Sequence, residues 1–252
     1  MKKDYYVASI SYGKDSLAML IKIIELGLPL NEVIFCEVMF DDEISGIHPR
    51  QLNFINNARK ILKDKYNIEV NHLKAEKPFT TQFYTKKQKG KRIGEIYGFP
   101  VLIGAWCNSR LKLDVINKYL RSLNKKYNVI QYVGIAVDEP KRIKNKPNVI
   151  YPLVDLNITE EMAVNICKKN NLYSPLYNSK IHRDGCWFCN KQSLNELRDI
   201  STNYPNLWNK LLELDKDSPY SFRADGKTLC DLDLRFKNEY VQFDIFDFIE
   251  SE

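Results

Sequence analysis

The residues best placed for chemistry begin with Ser11-Tyr12-Gly13-Lys14-Asp15-Ser16, which lies between an apolar run and a helical pattern. A strand–turn–helix junction aims free backbone N–H groups and the positive end of a helix at an anion. Gly13 allows close approach of backbone to a phosphate. Ser11 and Ser16 can donate from their hydroxyls, and Lys14 supplies charge. The pattern lacks the longer glycine loop of a Walker A motif. The chemistry implied is phosphate binding, and the plain alternative is an ordinary strand-to-helix turn.

Two further segments end predicted strands in charge. Phe35-Cys36-Glu37-Val38-Met39-Phe40-Asp41-Asp42-Glu43 closes on carboxylates. Asp41 or Asp42 can bind Mg²⁺ beside phosphates, or the turn is merely a solvated acidic one. Gly134-Ile135-Ala136-Val137-Asp138-Glu139-Pro140-Lys141-Arg142 closes on a carboxylate pair and a basic pair. The planar fork of Arg142 suits a phosphate or sulfate, and Asp138 or Glu139 can hold a metal or orient that arginine. The bland reading is a salt-bridged surface loop. Cys186-Trp187-Phe188-Cys189 is a C-x-x-C pair able to bind one metal from one side; a second pair is needed for a tetrahedral set. His182 beside it is a further possible ligand, or a loop histidine. Lys86-Lys87-Gln88-Lys89-Gly90-Lys91-Arg92, with Lys141, Arg142, Lys144 and Lys146, could contact nucleic-acid phosphates, or could simply be solvated.

These residues need a scaffold, and the hydrophobic pattern predicts one. Strands are predicted at Tyr5–Ile10, Val33–Phe40, Ile68–Leu73 and Val129–Val137. Helices are predicted at Ser16–Leu26, Pro49–Lys65, Lys112–Leu123 and Thr159–Asn170, with Thr159 as an N-cap. Alternation of strand and helix predicts an α/β fold: a doubly wound, mostly parallel sheet with right-handed crossovers. In such a sheet ligands gather at the carboxyl ends of the strands, where the charged segments fall. From about Ser174 the character changes to short loops, aromatics and cysteines. The reading is a nucleotide-binding body at 1–173 and a small cysteine-bearing C-terminal cap at 174–252. The composition, 44% hydrophobic, 28% charged and 12% aromatic, is that of a folded domain rather than a disordered chain. The net charge of +6 suits an anionic substrate. The sequence shows no secretory signal and no run long enough to span a membrane, so a cytoplasmic protein is expected. In a reducing compartment its six cysteines point to metal or catalysis rather than disulfides. Cys36 and Cys167 sit on predicted buried elements and read as core residues.

The Ser11–Ser16 segment resembles the PP-loop of the ATP pyrophosphatases, usually Ser-Gly-Gly-x-Asp-Ser, with Tyr12 in place of the first glycine. The Gly-Ile-x-x-Asp-Glu run with its following arginine resembles the phosphoadenosine phosphosulfate (PAPS) reductase-like branch of that superfamily. So do Tyr151-Pro152-Leu153 and Leu172-Tyr173-Ser174-Pro175-Leu176-Tyr177. Trp106-Cys107-Asn108-Ser109-Arg110-Leu111-Lys112 is similar to that branch's Trp-Cys-x-x-x-Leu-Lys segment. The resemblance covers roughly Tyr5 to Cys189. It implies a HUP/PP-loop-type sheet that binds ATP, or PAPS or adenosine phosphosulfate, with Mg²⁺, through Ser11, Tyr12, Gly13, Lys14, Asp15 and Ser16. Lys14, Asp15, Asp138 and Arg142 take catalytic roles, and Arg110 and Lys112 hold the leaving group or acceptor. Cys107, Cys186, Cys189 and Cys230 are the candidate ligands of a [4Fe–4S] cluster or Zn²⁺; a sulfur-carrying dithiol and plain packing cysteines are the alternatives.

The family's reductases carry a Glu-Cys-Gly-Leu-His tail, and this sequence shows none. The expectation therefore moves from PAPS or adenosine phosphosulfate reduction toward relatives that adenylate an acceptor and transfer sulfur to it, some of which act on nucleic acid. A nucleotide- or nucleic-acid-binding accessory protein without turnover is the third reading. A homodimer is allowed.

Overall fold

The computed structural model describes residues 2–100, 105–178 and 185–249. Five strands build one parallel sheet: β1 (Asp4–Ile10), β2 (Glu32–Glu37), β3 (Val70–Lys74), β4 (Asn128–Val133) and β5 (Val149–Ile150), in the order β3-β2-β1-β4-β5. The chain leaves β1 toward β2 and β3, then returns to the other side of β1 with β4 and β5. The reversal falls between β1 and β4, whose carboxyl ends mark the topological switch point of a doubly wound sheet. The register pairs Ile10 with Phe35 and Ser9 with Val133, so these strand ends lie level.

Side chains alternate across the sheet, and each face is covered. Ala8, Ile10, Val33, Phe35 and Tyr132 face one side. They pack there against helices α1 (Lys14–Glu25) and α2 (Pro49–Tyr66), with Leu153, Ala163 and Cys167 from segments further along the chain. Val7, Ile34 and Val129 face the other side, beneath Ile116, Tyr119, Leu120 and Leu123. Pro49 at the start of α2 and Asn67 in a left-handed conformation at its end bound that helix as sequence rules expect.

The remaining helices are α3 (Phe79–Tyr84), α4 (Trp106–Asn108), α5 (Asp114–Asn124), α6 (Pro152–Asp155), α7 (Glu160–Lys169), α8 (Leu194–Asn203), α9 (Pro205–Asp217) and α10 (Leu229–Ile249). A π-helical turn, Ser109–Leu113, joins α4 to α5, so the predicted Lys112–Leu123 helix in fact begins six residues earlier, at Trp106. Thr159 caps α7, its hydroxyl accepting from the Met162 N–H at 3.3 Å.

Two expectations change. β2 stops at Glu37 rather than Phe40, because the chain folds into a tight hairpin closed by Phe40 N–H to the Ile44 carbonyl and Gly46 N–H to the Val38 carbonyl. Phe40 thereby leaves the sheet for a second, aromatic-rich core with Phe79, Trp106, Trp187 and Phe188. The C-terminal segment, read as loops, instead supplies α8, α9 and α10 to that core. Its helical start was legible as Ser193-x-x-Glu196, a complete capping box. Because this core also takes Phe79, Phe83, Phe99, Trp106 and Leu111, it is built from both sides of the boundary drawn at 173/174.

Candidate functional site

The phosphate-loop residues fall at the β1–α1 junction, on the carboxyl edge of the sheet. Gly13 is the N-cap of α1, and among the described residues no side chain caps its first turn, which leaves the leading N–H groups available to a ligand. The two serines brace the bend. The Ser16 hydroxyl accepts from the Ser11 N–H at 3.1 Å and donates to the Gly13 carbonyl at 2.9 Å, while the Ser11 hydroxyl accepts from the Gly13 N–H at 3.3 Å. Tyr12 adopts φ of 59°, a left-handed conformation unusual for a bulky residue. Its ring compensates by complete burial, edge-on to Phe35 at 4.9 Å and near His72. A tyrosine thus occupies a glycine's backbone position because the core anchors its side chain.

Lys14 and Asp15 do not point away as free groups. The Lys14 ammonium lies 2.8 Å from Asp15 and 2.7 Å from Glu160 of α7. Burial works to lower the pKa of Lys14, but the two carboxylates outweigh it and the net direction is upward. Burial pushes the Asp15 carboxyl up, Lys14 opposes this, and Glu139 and Glu160 add to the rise. The loop is also held from below. The Cys167 thiol donates to the Lys14 carbonyl at 3.1 Å, and a Cβ at Gly134 would meet the Asp15 carbonyl oxygen and Ser16 Cα at 2.8 Å.

Arg142 is brought to the same edge, where it feels Asp15 and Glu160, but both oxygens of Glu139 hold its guanidinium at 2.6 and 2.7 Å. Asp138, a catalytic candidate from sequence, accepts with both its oxygens from the Glu160 N–H, at 3.1 and 3.2 Å, and so anchors the start of α7. Asp41 likewise accepts from the Glu43 and Ile44 N–H groups and so shapes the hairpin after β2. Among the described residues no three His, Cys, Asp or Glu side chains form a metal cage. Mg²⁺ needs no such cage, since it binds through nucleotide phosphates and one or two carboxylates. Asp15 and Glu139 suit that arrangement.

The cysteines divide. Cys107, Cys186 and Cys189 are neighbours: Cys189 acts on both other thiols, and Cys107 on Cys186. The C-x-x-C turn docks onto the hairpin after β2, with Ile47 bridged to Cys186, and with Trp187 donating its backbone N–H to the Gly46 carbonyl at 2.9 Å and its indole N–H to the Ser45 carbonyl at 2.8 Å. Burial pushes Cys107 up to about 11 and Cys186 up to about 12, so both are neutral thiols at neutral pH. Lys112 bears on Cys186 and also on Cys36, whose thiol donates to the Leu111 carbonyl at 3.6 Å. Cys230 is exposed in the first turn of α10 with Asp215, Lys216 and Asp233 as its charged neighbours. It does not join the others, which corrects its assignment as fourth ligand. The four-thiolate set does not fit a tetrahedral Zn²⁺ or a four-cysteine cluster. His182 lies outside the described residues. Cys36 and Cys167 are buried, as expected of core residues.

Arg110 is not gathered to the phosphate loop. Its guanidinium stacks on Tyr97 at 4.3 Å and donates to the hydroxyl of that residue at 2.7 Å. The basic stretch forms one arm of a small hairpin, Lys86 bridged to Ile96, and Lys87 and Arg92 both lie over the Tyr220 ring.

No family model matches the chain. It is 25% identical over 223 residues, 83% of its length, to the uncharacterized protein MJ0066 of Methanocaldococcus jannaschii, and spans 41% of that protein. Over 101 residues, 40% of its length, it is 34% identical to the uncharacterized nin region protein ORF290 of Escherichia phage lambda, and spans 34% of that one. The chain therefore accounts for well under half of these curated relatives. Among solved structures it is similar to the U34-tRNA thiolase NcsA from Methanococcus maripaludis with its [4Fe–4S] cluster, at 15% identity and a TM-score of 0.39, over 94% of this chain and 71% of that one.

Sequence reasoning missed Glu160 and gave no role to Gly134. Glu160 carried a signal, since it follows the predicted cap Thr159 at the start of a helix. The need for glycine at 134 shows only once β4 and α1 are seen in contact.

Proposed function

We propose that this chain binds ATP with its phosphates at the Ser11–Ser16 bend and adenylates an acceptor, which then receives sulfur. The observation carrying this reading is the uncapped, serine-braced N-terminus of α1, set at the switch point of the sheet and backed by Gly134. Backbone N–H groups there hold the phosphate chain without a conformational cost at the moment of reaction. Lys14, held by Asp15 and Glu160, and Arg142, held by Glu139, are the cations at hand, and a nucleotide's phosphates would displace those carboxylates. An acceptor oxygen attacks the α-phosphorus, the bond to the β-phosphate breaks, and pyrophosphate leaves. Mg²⁺ would arrive with the nucleotide and offset charge on the phosphates. A sulfur nucleophile then displaces AMP from the adenylated acceptor. Cys107, Cys186 and Cys189 are the thiols near that sheet edge, with Lys112 as the adjacent cation. No step is assigned to a metal cluster.

Exchange of labelled pyrophosphate into ATP, measured with candidate acceptors, tests the first step. Exchange that falls with Lys14→Ala supports the reading; absence of exchange with every acceptor, together with no ATP binding, refutes it. Sulfite release from a sulfonucleotide with a thiol donor, without exchange, would instead identify a reductase.

A further inference from the structure

We propose that a second oxyanion site, separate from the phosphate loop, lies between the carboxyl end of β3, α3 and the π turn, and that it seats a phosphoryl group of the acceptor. That the ligand is the acceptor rests on the adenylation reading; that a phosphoryl group binds there does not.

The cavity measures about 260 Å³ and is lined by Lys74, Lys77, Gln82, Arg110 and Lys118, with Leu111 and Val115 as its apolar wall. Two carboxylates also line it, Glu76 and Asp114. Glu76 is taken by Lys118 at 2.5 Å. Lys74, Lys77 and Arg110 form no salt bridge among the described residues, so positive charge is in excess. The decisive group is Gln82. It is only 8% exposed, and its Nε2 is shielded from solvent without a hydrogen-bond partner among the described residues. A buried amide donor is seldom left unpaired, and beside a cationic cavity a ligand oxygen can pair it as an ordered water would.

The π turn explains why this position is useful. Such turns insert one residue into a helix and redirect its side chains. Here Arg110 lines the cavity, Leu111 carries the carbonyl that accepts from Cys36, and Lys112 bears on Cys186. One turn therefore links the cavity to the thiols, and a phosphoryl group held by Arg110 and Gln82 would place the rest of its molecule near the cysteines. From Arg110 a row of alternating rings and cations leads outward: Arg110 on Tyr97, Lys87 between Tyr97 and Tyr220, and Arg92 on Tyr220 at 4.9 Å. A nucleotide chain can follow such a row, whereas a single nucleotide would not reach its end.

The test uses the full chain with the phosphate loop saturated by a non-hydrolysable ATP analogue, whose own affinity is measured first. Adenosine 3′,5′-bisphosphate and a short single-stranded RNA are then titrated against wild type, Gln82→Met, Lys74→Ala and Arg92→Ala. At least one ligand binds wild type, and Gln82→Met and Lys74→Ala each weaken it about tenfold. RNA binding that also weakens with Arg92→Ala identifies a polynucleotide phosphate; bisphosphate binding indifferent to Arg92→Ala identifies a small nucleotide. Lys74 is exposed, so its variant reports on the site even if Gln82→Met fails to fold. The site is refuted if neither ligand binds, or if Lys74→Ala and a folded Gln82→Met bind as wild type does. Loss of analogue binding would strike the phosphate loop instead, and the same titration without analogue would still decide this site.

Discussion

Adding one methyl group at Gly134 should displace the phosphate loop. A Cβ there would stand 2.8 Å from the Asp15 carbonyl oxygen and 2.8 Å from Ser16 Cα, both backbone atoms that cannot rotate aside. Ordinary contact begins near 3.4 Å, so β4 and the start of α1 must part by about 0.6 Å. Overpacking of this kind costs about 1–3 kcal/mol, and the lower entropy of the unfolded alanine chain returns about 0.4–1 kcal/mol, so Gly134→Ala should lose roughly 1–2 kcal/mol of stability. The functional effect is larger. The displaced atoms belong to the turn whose N–H groups would hold phosphate, and an error of this size in a positioned site costs about tenfold to a hundredfold. Urea denaturation gives the stability change, and calorimetric titration with ATP gives the affinity. Gly185→Ala is the control, since a Cβ at Gly185 meets nothing within 4 Å among the described residues. If Gly134→Ala matched wild type in both measurements, the close contact between β4 and the loop, and with it the placement of the ligand, would be wrong.

Other substitutions separate structural from chemical roles. The Tyr12 hydroxyl is buried without a partner among the described residues, so Tyr12→Phe should be neutral or stabilising by up to about 1 kcal/mol, whereas Tyr12→Ala should cost about 3–5 kcal/mol; a marked loss of ATP affinity in Tyr12→Phe would contradict this. Burial lowers the pKa of His48 below 6.5 despite Asp199, and its Nδ1 accepts from the Arg50 N–H at 3.3 Å at the start of α2. The unfolded chain then binds the proton more tightly, so this contribution is complete above about pH 6.5 and is lost as pH falls toward the folded value. His72, also lowered by burial, acts in the same direction. His48→Asn, which keeps a cap acceptor, should flatten the slope in acid melts, and an unchanged slope would remove His48 from the account. Cys230→Ser should leave the iron, zinc and acid-labile sulfide content of anaerobically purified protein at the wild-type level, whatever that level is, and leave sulfur transfer intact. A loss in Cys230→Ser equal to that in Cys186→Ser would restore a four-cysteine site.

Much of the candidate site was legible because it is local. The Ser11–Ser16 turn sits between neighbouring elements whose patterns are short and clear, and Thr159 and Pro49 mark helix starts by chemistry within one turn. The partners of Asp138 and Arg110 were hidden for the opposite reason. Both side chains look free in sequence, yet Asp138 accepts from the Glu160 N–H and Arg110 donates to the Tyr97 hydroxyl, partners 22 and 13 residues away. The aromatic core was missed for a related reason: Phe40, Phe79 and Trp187 belong to one cluster that no periodicity announces.

Alternation of strand and helix, and the position of the glycine–serine turn, determined by themselves that this would be a doubly wound sheet with that turn at its carboxyl edge, since side-chain period and helix capping are short-range properties of the chain. Which cysteines meet, which group each carboxylate holds and which buried amide lines a cationic cavity were decided only in three dimensions. Those outcomes depend on contacts between residues far apart in sequence, where packing and desolvation rather than local preference settle the partner.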